Sequence, residues 1–112
     1  MMTIKQISKH LPLSEATFFI MLALVTPKHG YGVMQMVEGI SKGAVTIGPG
    51  TLYGAFANLE KEKLIEMVRE EGRRKEYQLT QDGRSLLEAQ LERLRMMVDL
   101  GDEAINSDKD RA

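Results

Sequence analysis

The sequence predicts a mainly α-helical domain that carries one small β-hairpin and continues into a long C-terminal helix. Three observations predict it. Apolar residues recur at helical spacing in three segments between residues 14 and 61, and two strand-like runs flank Glu71-Gly72-Arg73-Arg74. Beyond them Leu87, Leu91, Leu94, Val98, Gly101 and Ile105 recur at intervals of 4, 3, 4, 3 and 4, a heptad seam. A chain of 112 residues has room for one core, and 43% apolar residues with a formal net charge of -1 exclude a disordered polymer.

Taken in order, Ser14 is the N-cap of the first predicted helix, Glu15 favours its first turn, and Ala16 to Val25 is apolar nearly all round until Pro27 stops it. Such a helix is buried on more than one side. Gly30 starts a second helix, with Val33, Val37 and Ile40 at i, i+4 and i+7 and Ser41-Lys42-Gly43 as its end. Val45 and Ile47 alternate like a very short strand before Gly48-Pro49-Gly50. Pro49 suits the first turn of a third helix, whose core stripe is Leu52, Ala55, Phe56 and Leu59. Leu64 to Glu70 and Lys75 to Thr80 read as two strands, and Thr80 caps a fourth helix. Its seam from Leu87 to Ile105 is about 27 Å long at 1.5 Å per residue, more than one small domain can cover. Residues 107–112 are polar and are expected to form a frayed tail.

Composition narrows the function. With no cysteine there is no disulfide framework, thiolate zinc site or Cys nucleophile, and the simplest setting is the reducing cytoplasm. The longest apolar run, Phe18 to Val25, is 8 residues, far short of the roughly 20 that span a bilayer, and no small-x-small cleavage site follows it. No membrane partner is expected. Only two histidines occur, His10 and His29, and neither joins a metal-ligand spacing or a catalytic motif, so neither an enzyme nor a cofactor or metal is expected. Charge is uneven: residues 1–43 carry +2, residues 44–79 balance, and residues 80–112 carry -3. A polyanion would therefore be met by the first eighty residues.

Three helices followed by a hairpin is the order of a winged helix-turn-helix, whose third helix enters the DNA major groove while the hairpin flanks it. Opposite the core stripe, the third helix presents Gly50, Gly54, Ala57 and Lys61, flanked by Tyr53 and Asn58. Small residues there permit close approach, and Thr51, Tyr53 and Asn58 offer hydroxyl and amide groups to phosphates or base edges. The helix start at Pro49, Gly50 and Thr51 favours anions. Arg73, Arg74 and Lys75 form the compact basic run at the hairpin turn, with Glu70 and Glu71 just before it. Lys28, His29 and Tyr31 complete the candidate DNA contacts at the start of the second helix.

The blocks Lys28-His29-Gly30-Tyr31-Gly32, Gly48-Pro49-Gly50-Thr51-Leu52-Tyr53-Gly54-Ala55 and Gly72-Arg73-Arg74-Lys75-Glu76-Tyr77-Gln78-Leu79-Thr80 resemble the PadR family of bacterial transcriptional repressors, over residues 13 to about 95. The resemblance implies a winged helix domain that binds double-stranded DNA, a C-terminal helix for homodimerisation, and, in members with a known effector, relief of repression by small molecules. The single C-terminal helix is similar to the smaller PadR subgroup, some members of which bind planar aromatic or cationic drugs at the dimer interface. In the best-known of these a tryptophan on the last helix stacks the ligand. This chain has no Trp, and Met96 and Met97 stand in that region.

The expected organisation is a winged helix DNA-binding domain over residues 1–80, a dimerisation helix over 81–106 paired through Leu87, Leu91, Leu94, Val98 and Ile105, and a tail over 107–112. A small aromatic or amphipathic effector would meet Phe18, Leu22, Met96 and Met97. The rival reading, favoured by the near-neutral charge, is a winged helix that binds another protein and no DNA.

Overall fold

A computed structural model describes residues 2–111. Its elements are α1 (Ile4–His10), α2 (Glu15–Ala23), α3 (Gly30–Ile40), α4 (Pro49–Lys61), β1 (Ile65–Glu71), β2 (Arg74–Leu79) and α5 (Gln81–Arg111). The expected fold class is borne out: helices α2 to α4, a hairpin, and a long last helix.

The core gathers Ile20, Met21 and Leu24 from α2 and its cap, Val33 and Val37 from α3, and Leu52, Phe56 and Leu59 from α4. Leu64, Ile65, Leu79, Leu86 and Leu87 close it from the hairpin and α5. The α4 stripe is the one its spacing predicts. The α3 stripe stops a turn early, with Ile40 49% exposed. The helix terminates there, as Gly43 and Lys42 fold back to donate to the carbonyls of Glu38 and Gly39.

Helix α1 has no counterpart in the predicted elements. Its signal is a capping box: Thr3 Oγ1 accepts from the Gln6 N–H (3.1 Å), and Gln6 Oε1 accepts from the Thr3 N–H (2.9 Å). Seven residues are too short for a stable isolated helix, and tertiary contacts hold this one in place. Ile7 and Leu11 pack against the core, the Met2 N–H donates to Asp82 Oδ1 (3.2 Å), and the Leu13 N–H donates to the buried Gln90 Oε1 (2.9 Å).

Val45 and Ile47 form no strand. The edge of β2 that such a strand would need is already taken: Lys28 and Tyr77 exchange both backbone hydrogen bonds (3.0 and 2.9 Å), and the Leu79 N–H donates to the Leu24 carbonyl (2.9 Å). The alternation anchors a loop instead, with Ile47 buried and the Val45 N–H and carbonyl both bonded to Ser41 Oγ. In the hairpin, Glu71 pairs with Arg74, leaving Gly72 and Arg73 as the turn. Gly72 has φ of 60°, which glycine adopts without strain at the first position of such a two-residue turn. A register shift between Met67 and Arg69 leaves Met67 and Val68 both exposed.

Thr80 caps α5 as expected, its Oγ1 accepting from the Gly83 N–H (3.1 Å). The same hydroxyl donates to the Lys63 carbonyl (2.7 Å), and the Thr80 N–H donates to the Leu64 carbonyl (3.0 Å). Helix α5 has 31 residues, about 46 Å, and gives the molecule a longest dimension of 63 Å. It continues to Arg111 through most of the segment expected to fray, and Ala112 lies outside the described residues. No Gly or Pro follows Gly101, and Lys109 and Arg111 complement the negative end of the helix dipole.

Two glycines give opposite expectations. A Cβ on Gly83 would stand 2.0 Å from the Leu64 carbonyl oxygen, so Gly83→Ala should cost about 1–3 kcal/mol or more. Gly39, inside α3 with nothing within 4 Å, should gain about 0.5–1 kcal/mol on substitution by Ala. Urea unfolding of both variants checks the pair.

Candidate nucleic-acid interface

The start of α3, the exposed face of α4 and the hairpin enclose one groove of about 500 Å³. His29, Gly30 and Tyr31 line it from α3, Tyr53, Phe56, Ala57 and Glu60 from α4, and Arg73, Arg74, Lys75 and Tyr77 from the hairpin. Six predicted contacts are thus gathered from three separate stretches of chain: His29, Tyr31, Tyr53, Arg73, Arg74 and Lys75. A second, smaller cleft brings His29 and Arg74 together with Arg69, Glu71 and Glu76.

Local structure explains each placement. His29 is the N-cap of α3, where its Nδ1 accepts from the Gly32 N–H (3.3 Å) and leaves Nε2 as the donor of the neutral ring. Tyr31 is 62% exposed, and its hydroxyl accepts from Gln35 Nε2 one turn on. Tyr53 sets its ring edge-on to Phe56, with centroids 6.2 Å apart, and Phe56 meets Tyr77 at 5.0 Å. Burial, and then the charge of Glu60, raises the Tyr77 phenol above its ordinary pKa; Glu70 adds to this and Lys75 opposes it.

Pro49, Gly50, Thr51, Asn58 and Lys61 are exposed on α4 but do not line the groove. They continue its surface along the helix. No side chain caps the start of α4, so the first-turn amides of Gly50 and Thr51 keep their donors for an outside partner. Lys28 is placed differently from the expectation. Its Nζ turns back to the end of α2 and donates to the Ala23 carbonyl (2.8 Å) and Thr26 Oγ1 (2.6 Å), so the ammonium satisfies a helix end instead of facing outward.

Sequence reasoning missed Phe56, Glu60 and Tyr77 as groove residues. Phe56 and Tyr77 sit at core-like positions whose edges reach the groove, a fact of packing with no local signature. Glu60 adds an acidic group to a basic site. Arg69, by contrast, is paired with Glu71 (2.6 Å) on the exposed hairpin face, a contact worth about 0–1 kcal/mol.

The remaining predicted residues lie apart from this groove. Leu87, expected to pair the dimer, is buried instead in the protomer's own core, Leu91 and Leu94 are half-buried, and Val98 and Ile105 are 60% and 58% exposed. Phe18 and Leu22 are half-buried in α2, and Phe18 stacks edge-on against Phe19 at 5.5 Å. Met96 and Met97 stay exposed, and Met96 borders a shallow groove with Ile4, Ile7 and Leu11 of the α1 region. Of the four expected effector contacts, only Met96 lines that groove. Among the described residues no cluster of three or more His, Cys, Asp or Glu is placed for a metal, and no helix is long and apolar enough to cross a membrane.

Helix α3, the turn after it, the exposed helix α4 and the flanking hairpin define a winged helix-turn-helix. The model of the Transcriptional regulator PadR-like family matches residues 20–89, and the chain belongs to that family. It is 40% identical over 76 residues to a 37.1 kDa protein of transposon TN4556 from Streptomyces fradiae, covering 67% of this chain and 21% of that protein. It is 33% identical over 69 residues to the transcriptional regulator YqjI of Escherichia coli, covering 62% of this chain and 33% of that protein. The chain thus spans a third or less of both relatives. Among solved structures it superposes on a PadR family transcription regulator from hypervirulent Clostridium difficile R20291 with a TM-score of 0.70 at 22% identity, over 82% of this chain and 99% of that one.

The inward turn of Lys28 sets an expectation. Lys28→Met should lower stability by about 1 kcal/mol through the lost bonds to Ala23 and Thr26. Thermal unfolding checks it, and an unchanged midpoint would return Lys28 to the outward-facing set.

Proposed function

We propose that the chain is a DNA-binding transcriptional repressor that grips a pseudo-palindromic operator as a homodimer. One observation carries the DNA reading: the exposed face of α4 and the cations of the hairpin turn border one surface, so a duplex can meet a helix and a phosphate clamp together. Gly50, Gly54 and Ala57 are exposed, and nothing stands within 4 Å of the two glycine positions, so the face admits close approach of backbone to a groove floor. The uncapped start of α4 suits a phosphate oxygen. Near-neutral overall charge does not oppose this, because binding depends on local cations and a dimer presents Lys61, Arg73, Arg74 and Lys75 twice.

The dimer reading rests on α5. Beyond Leu94 it leaves the body with Met96, Met97, Val98, Leu100 and Ile105 each at least half exposed, an apolar surface that one chain leaves uncovered. A second copy related by a two-fold axis is the simplest cover. Residues 1–80 would then grip DNA while 81–106 set two copies of α4 about 34 Å apart, one turn of DNA. A small aromatic or amphipathic compound lodged at the dimer centre, against Phe18 or Leu22 and Met96 or Met97, would relieve repression by altering that spacing. Tenfold relief corresponds to about 1.4 kcal/mol of coupling, and the operator must weaken the compound by the same factor.

Arg74→Ala should flatten the salt dependence of duplex binding by about one unit per contact removed. Mobility shifts at several salt concentrations with DNA from upstream of its own gene measure it. An unchanged slope would make the turn a solvated loop, and no binding at low salt would favour the protein-interaction module. Val98→Asp, at an exposed site of the protomer, should give a folded monomer by sedimentation. A wild-type monomer at micromolar concentration would end the dimer reading.

A further inference from the structure

Gly30, the first residue of α3, is buried, and its missing side chain is replaced by a neighbour. A Cβ built there would stand 2.8 Å from Tyr53 Oη and 2.9 Å from Leu52 Cδ2, closer than side chains pack, and 3.1 Å from Tyr53 Cε1, tighter than most side-chain contacts. On α3 and α4 such crowding is particular to Gly30: Gly39, Gly50 and Gly54 have nothing within 4 Å, and Gly32 nothing nearer than 3.7 Å. The hydroxyl of Tyr53, the one group of that side chain able to hydrogen-bond a base, is therefore the end that touches the body.

The contact closes a ring. Tyr53 meets Phe56 edge-on, Phe56 meets Tyr77 of the hairpin, and Tyr77 exchanges both backbone hydrogen bonds with Lys28, two residues before Gly30. Helix α3, helix α4 and the hairpin each supply a member, so displacing one tilts the others.

We propose that Tyr53 is a positioning residue: its phenol, seated where Gly30 lacks a Cβ, fixes the angle of α4 against α3 and the hairpin, and it does not read operator bases. This deepens the DNA reading given above and rests on it. Tyr53 remains 56% exposed, but its exposure follows from bridging two helices at their outer edge.

A double-mutant cycle followed by urea unfolding tests the seat without DNA. Gly→Ala at a helical position ordinarily raises stability. Here Gly30→Ala should lower the folding equilibrium constant about tenfold, and by less than about threefold in a Tyr53→Ala background, the coupling expected of touching residues. Equal effects in both backgrounds would overturn the proposal. If Gly30→Ala folds only alongside Tyr53→Ala, the seat is supported; if it folds in neither background, Leu52 and not the phenol is what excludes the methyl group, and the proposal is overturned. Binding to the upstream duplex and to an unrelated one supplies the second readout. Tyr53→Phe keeps the ring and should leave the ratio of the two affinities within about twofold, whereas Tyr53→Ala should weaken both in proportion. Loss of discrimination in Tyr53→Phe would make Tyr53 a base reader and overturn the proposal. If no duplex binds at all, the DNA reading fails, and the unfolding cycle still decides the seat.

Discussion

The approach of α5 to the corner between α4 and β1 is the constraint on which the rest of the molecule depends. At that corner Lys63 adopts φ of 60° and the Leu64 N–H returns to the Leu59 carbonyl, which ends α4 and turns the chain into the hairpin. The carbonyls of Lys63 and Leu64 then receive the hydroxyl and the N–H of Thr80, and Gly83 packs against Leu64 with no room for a methyl group. The hairpin thus starts and ends at one point, which is also where α5 begins. The end of α4, the root of the hairpin and the start of α5 are bonded to one another at one corner.

A second tie sits at the opposite side of the groove. Lys28 holds Tyr77 through its backbone and the end of α2 through its ammonium, so one residue joins α2, the start of α3 and β2. With His29 capping α3 and Gly30 admitting Tyr53, three consecutive residues set the near wall of the interface. Between these two ties helix α4 is supported at its middle and its C-terminal end, while no side chain caps its N-terminus.

Charge follows the same division. The cations that reach the groove belong to the hairpin turn, and Glu60, Glu71 and Glu76 stand close to them. Such a surface binds a polyanion only where geometry brings several cations to phosphates at once, which favours a fitted duplex over any passing anion. The acidic excess lies on α5, whose outer half is exposed and lines neither the groove nor the smaller cleft beside it.

By itself the sequence determined whatever depends on local periodicity and turn chemistry. The stripe Leu52, Phe56 and Leu59, the glycine turn at residue 72 and the Thr80 cap are all written within a few residues of where they act, and the motif blocks carried the family. Helix α1 was absent from the predicted elements: its Thr3 and Gln6 capping box is a local signal, but seven residues have little helical strength without the contacts to α5. Tertiary structure decided what depends on distant partners. Val45 and Ile47 have strand alternation, but Lys28 occupies the β2 edge they would need. Lys28 reads as an outward cation, but the end of α2 claims its ammonium. Phe56, Glu60 and Tyr77 enter the groove because of how α4 packs against the hairpin, and Gly30 is required by a tyrosine 23 positions away. Spacing along a chain encodes which face a residue occupies; which hydrogen-bonding edge is still free, and which Cβ has room, depends on elements that meet only after folding.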